Sequence, residues 1–70
     1  MTNEHVTFTV EGITCESSAH AVRNALIRLN GVEDVTVHAD ILRVAVEYDA
    51  ERIGLETLRG TIEDAGFKVR

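Results

Sequence analysis

The stretch EGITCESSAH, residues 11–20, holds the only cysteine of the 70-residue chain, Cys15. Gly12 and Thr14 precede it, Glu16, Ser17 and Ser18 follow, and His20 lies five residues on. A thiol does its chemistry as the thiolate, which is both the nucleophile and the soft metal ligand. A helix start favours that form, because the first N–H groups are unpaired and carry the positive end of the helix dipole. Cysteines so placed have pKa values as low as about 3.5–7.5. Glu16 acts in two directions: a carboxylate suits the helix start, yet it opposes a thiolate beside it. Thr14 or Ser17 is expected to cap the helix, and Ser17 and Ser18 are good first-turn residues in any case. His20 is a candidate nitrogen donor, but it lies about 200° around a helix from Ser18, where a solvated imidazole is the alternative. His5 and His38 fall at surface positions of strands. The alternative for Cys15 itself is a small buried hydrophobe. That conflicts with its polar neighbours, Thr14 and Glu16, and with a position outside the core periodicity.

The elements around this turn read by period. HVTFTVE alternates Val6, Phe8 and Val10 against Thr7, Thr9 and Glu11, a half-buried strand. From about Ser17 to Asn30, Ala19, Val22, Leu26 and Leu29 recur at three and four, one face of a helix that Asn30-Gly31 ends. VEDVTVHA alternates again, Ala39-Asp40 makes a turn, and ILRVAVEYD alternates Leu42, Val44, Val46 and Tyr48. Asp49 is the expected N-cap of a second helix whose inner face carries Leu55, Leu58, Ile62 and Ala65. Gly54 and Gly60 fall inside that helix at about 1 kcal/mol each. Gly66 closes it, and Phe67 and Val69 begin a last strand. Leu26, Leu29, Val44, Val46, Leu58 and Ile62 are the expected core. The order is βαββαβ: an α+β, ferredoxin-like sandwich, a four-stranded antiparallel sheet with two helices on one face.

Composition restricts the function classes. Residues 1–70 make one small domain, with 44% hydrophobic and 27% charged residues as in soluble globular proteins. A net charge of −5 argues against nucleic acid, which needs a basic footprint. No apolar run approaches the roughly 20 residues of a membrane span, so no insertion is expected. MTNEH lacks the basic and apolar parts of a signal peptide. One cysteine forms no internal disulfide, so a reducing compartment, the cytoplasm, is expected. Catalysis is not expected: no base is placed for a nucleophile, and no phosphate loop or carboxylate dyad is present. Cys-x-x-Ser at a helix start also resembles monothiol redox motifs, whose folds need more chain and a different order of elements.

GITCESSAHAV resembles the GMTCxxCxxxV signature of the heavy-metal-associated domain, found in copper chaperones, mercury-binding proteins and the N-terminal modules of metal-transporting P-type ATPases. Gly12, Thr14, Cys15 and Val22 fall on the motif, and LNGVEDVTV and IEDAGFKV resemble the segments that follow. The family fold is the same βαββαβ order. The second cysteine of the motif falls on Ser18 and its methionine on Ile13, an apolar side chain expected to pack beneath the loop. The resemblance implies a metal site anchored by Cys15, with Ser18 a weak ligand or none and His20 a further candidate. Soft thiolates select Cu(I) over hard cations. Cu(I) is the first candidate, with Zn, Hg or Cd, or no metal, as alternatives. With one thiolate per chain, the second ligand is expected from Cys15 of another molecule, from a small thiol such as glutathione, or from histidine. Phe67, in the loop that lies near the metal in the family, is either a shield over the thiol or a core aromatic. The implied partner is a metal-transporting P-type ATPase or another metal-binding domain, and a metal-bridged homodimer through Cys15 is a further candidate. The competing reading is a protein-interaction module that has lost metal binding, or a metal-binding domain whose second cysteine was replaced by Ser18.

Overall fold

The alternating strands do pair as one antiparallel sheet. The computed structural model describes residues 3–70, so the first two residues of the expected 1–70 domain lie outside the described part. The elements are β1 (Asn3–Glu11), α1 (Glu16–Ile27), β2 (Val32–His38), a 3₁₀ turn (Ala39–Ile41), β3 (Arg43–Asp49), α2 (Leu55–Asp64) and β4 (Lys68–Val69). The sheet order is β2-β3-β1-β4, so each helix carries the chain past one intervening strand.

Register aligns the apolar sets. Val6 and Phe8 face Val46 and Val44, Val35 and Val37 face the same two from the other side, and Val10 faces Val69. A period of two puts all of these on one face of the sheet. Val22 and Leu26 of α1 and Leu58 and Ile62 of α2 complete a core with them, fully buried. The sheet's other face carries His5, Thr7, Arg43, Ala45 and Glu47.

Four expectations need correction. α1 ends at Ile27 and not at Asn30: Arg28 is its C-cap, and Leu29 lies in a following turn where it is only half-buried. The Leu29 N–H donates to the Leu26 carbonyl at 3.0 Å, and Gly31 completes the reversal at φ 108°. β3 begins at Arg43, since Ala39–Ile41 forms a 3₁₀ turn and Leu42 takes the left-handed conformation at φ 57°. Leu42 is therefore exposed and does not extend the buried face. Asp49 does not cap α2. Its carbonyl accepts the N–H groups of Arg52 and Ile53, and its Oδ1 accepts the Glu51 N–H at 3.0 Å. The side chain thus closes a turn directly after β3, and α2 starts later, with Gly54 as N-cap. Consequently Leu55, at the first helical position, is 47% exposed and Ala65 lies past the helix in solvent. Only Gly60 incurs the helix-interior cost, because Gly54 stands outside.

Candidate metal site

The site is the four-residue passage, Gly12 to Cys15, from strand to helix. β1 ends at Glu11, and Gly12 turns the chain at φ 99°, a conformation that disfavours any side chain. Space is not the constraint, since a Cβ there would meet Phe67 Cδ1 at an ordinary 3.4 Å. Ile13 then drops into the core at 3% exposure, as expected for the position beneath the loop. With Ile13 anchored inward, Thr14 and Cys15 are left outside. Phe67, half-buried against the core, closes the loop from the β4 side.

Cys15 is itself the N-cap of α1, in extended conformation, and its carbonyl accepts the Ala19 N–H at 3.1 Å. Neither Thr14 nor Ser17 takes the cap position expected of it, and among the described residues no side chain caps the helix. The thiol is free and exposed. Its Sγ lies 3.5 Å from Ser18 Oγ, one helical turn on. The two side chains converge on one point, as a Cys-x-x-Cys pair would. The thiol is held below its ordinary pKa chiefly by the Ser18 hydroxyl, then by the Ser18 amide, with the Ser17 amide and the Thr14 hydroxyl adding to it against a small opposing desolvation. A hydroxyl that donates to the sulfur stabilises the thiolate over the thiol. Thr14 and Ser17 therefore act on the sulfur and not on the helix. Their place within two residues of Cys15 is the sequence signal of that role.

His20 is not brought to the thiol. Its Nε2 lies 3.7 Å from Glu16 Oε1, one turn along α1, and the ring borders a groove with Ala19, Arg23, Val35, Thr36 and Val37. Glu16 thus pairs along the helix. His5 Nε2 stands 3.9 Å from Glu47 on the open sheet face, and His38 is exposed on β2. Among the described residues no three His, Cys, Asp or Glu side chains gather as an ion cage. The donor set is one soft thiolate with a hard hydroxyl beside it, open to solvent. Such a set suits a soft ion that takes its remaining ligand from elsewhere.

No helix of the described residues is long and apolar enough to cross a membrane. The profile of the heavy-metal-associated domain matches residues 7–68. The copper chaperone CopZ of Staphylococcus haemolyticus is 41% identical over 61 residues, spanning 87% of this chain and 90% of its own. Among solved structures, a CopZ metallochaperone superposes with a TM-score of 0.94 at 30% identity, covering 96% of this chain and 100% of its own. A copper binding domain from HMA7, a P-type ATPase, gives 0.91 at 32% identity, covering 94% and 89%. Profile, relatives and strand order agree: the chain belongs to the heavy-metal-associated domain family.

Proposed function

We propose that this chain is a carrier of Cu(I), held on the Cys15 thiolate, and that it passes the ion to a second metal-binding domain in the reducing cytoplasm. One observation carries the reading: an exposed thiol, favoured as thiolate, sits at the start of α1 with Ser18 Oγ 3.5 Å away. Relatives named as copper chaperones share most of the chain's length, and the matched domain of a copper-binding P-type ATPase suggests the kind of recipient. A carrier must release its cargo, and a single protein thiolate suits release. The incoming thiolate of the recipient adds to the ion, and Cys15 then leaves as the ion departs. The Ser18 hydroxyl is a poor ligand for Cu(I), but it stabilises the thiolate both before capture and after transfer. Zn, Hg and Cd share the affinity for thiolate and are the secondary cargoes.

Until transfer, the second ligand is Cys15 of another molecule, which gives a metal-bridged homodimer at the two loops. A competition titration with a Cu(I) chelator tests the assignment. Cys15→Ser should abolish binding with the fold unchanged, and Ser18→Cys should raise affinity by orders of magnitude by completing a chelate. Equal Cu(I) affinity for wild type and Cys15→Ser would contradict the reading.

A further inference from the structure

β2 forms one edge of the sheet. Among the described residues, strand order leaves β2 paired with β3 on one side only. Which backbone groups face outward follows from the hydrogen bonds. Val10 N–H donates to the Leu42 carbonyl at 2.8 Å, one step beyond the Thr9–Arg43 pair. Antiparallel ladders alternate, so Val44 and Val46 turn their backbone groups toward β1, and Arg43, Ala45 and Glu47 turn theirs toward β2. Their partners His38, Thr36 and Asp34 are therefore bonded inward. The N–H and C=O groups of Val35 and Val37 point to the empty edge.

We infer that this edge pairs with the same edge of a second copy, antiparallel about Thr36. Val35 then exchanges two backbone hydrogen bonds with Val37 of the second copy, and symmetry doubles them to four. Thr36 meets Thr36, and Asp34 meets His38 of the second copy. Charge argues for this occupant. Within the chain Asp34 sits opposite Glu47, and His38 sits opposite Arg43. Both are like-charge pairs once His38 is protonated, and Glu47 already faces His5. Two-fold pairing instead sets Asp34 against His38 of the second copy, opposite charges when His38 is protonated. The register is also restricted: a β-bulge between Val32 and Asp34 and the 3₁₀ turn after His38 confine the regular edge to five residues. Moving the two-fold axis by a residue either way runs the pairing into one or the other. β1 and β2 both run antiparallel to β3, so they point the same way, and the two-fold axis puts the two Cys15 thiols at opposite ends of the joined sheet. This association therefore needs no metal and is distinct from a thiol bridge.

The interface is small, so association is weak and belongs to concentrated protein. Sedimentation equilibrium on metal-free Cys15→Ser protein tests it, since that variant forms no thiol bridge. The average mass should rise from 7.7 kDa toward twice that value as concentration approaches the millimolar range. Thr36→Lys, at an exposed position, places two like charges on the axis and should weaken association roughly tenfold. His38→Asp should weaken it too, and the swap Asp34→His with His38→Asp should restore it. A protein that stays monomeric, or one whose association is unmoved by Thr36→Lys or is not weakened by His38→Asp and recovered by the swap, overturns the inference.

Discussion

Two side chains decide the proposed chemistry, Cys15 at the N-cap of α1 and Ser18 in its first turn. In the proposed site Cys15 is the soft ligand, and Ser18, where a second thiol would make a chelate, supplies a hydrogen bond instead. Replacing Ser18 by Ala should raise the Cys15 pKa toward its ordinary value, because the largest stabilising contact is lost. Alkylation rate against pH checks this: the midpoint should lie below that of free cysteine in the wild type and move up in the variant. The sign for stability follows from the same shift. The folded thiol has the lower pKa, so the folded state holds fewer protons between its pKa and that of the unfolded chain. The contribution is complete above the unfolded value and is lost as pH falls through the folded one. At this scale the exposure of Cys15 was legible in the sequence, since it falls outside the apolar periodicity beside a glycine turn. The sequence was less informative about Thr14 and Ser17, because a hydroxyl or amide that caps a helix and one that solvates a thiolate occupy the same positions. His20 shows the same ambiguity. Helical spacing left it free to turn either way, and its pairing with Glu16 directs it along α1.

At the scale of elements, strands and helix faces were legible where burial enforces a period, and turns were not. Leu26 and Leu58 are fully buried from both helices, and Leu26→Ala should cost about 2–5 kcal/mol in denaturant unfolding. Leu29→Ala should cost less than Leu26→Ala, since Leu29 has left the helix and is half in solvent. The alternation through Leu42 misled because it continued one residue past the end of the strand. There the 3₁₀ turn forces the left-handed conformation, which costs a residue with a Cβ about 1 kcal/mol. Leu42→Gly should therefore stabilise the fold by up to that amount, less the added backbone freedom of the unfolded chain. Unfolding midpoints of the two proteins measure it, and a marked loss of stability would show that Leu42 makes contacts worth more than its strain. Asp49 was misassigned for a similar reason: the side chain that caps a helix also closes an Asx turn, and here the turn comes first.

The whole molecule carries a net charge of −5 on a body of 11.0 Å radius of gyration, so two copies repel as they approach. In the proposed metal-bridged dimer, a cation at the junction of two Cys15 loops would offset part of that repulsion, and salt, by screening the rest, should strengthen the bridged form modestly. A small thiol in excess should dissolve it by taking the second coordination position. The most direct test of the account is native mass measurement as Cu(I) is added in the absence of small thiols, at low micromolar chain where the β2 edges do not associate. One Cu(I) per two chains, with the dimer reverting to monomer when glutathione is added and absent in Cys15→Ser, is the predicted result. A monomer that holds one tightly bound Cu(I) per chain would contradict it, and would mean that the chain completes the coordination from its own residues.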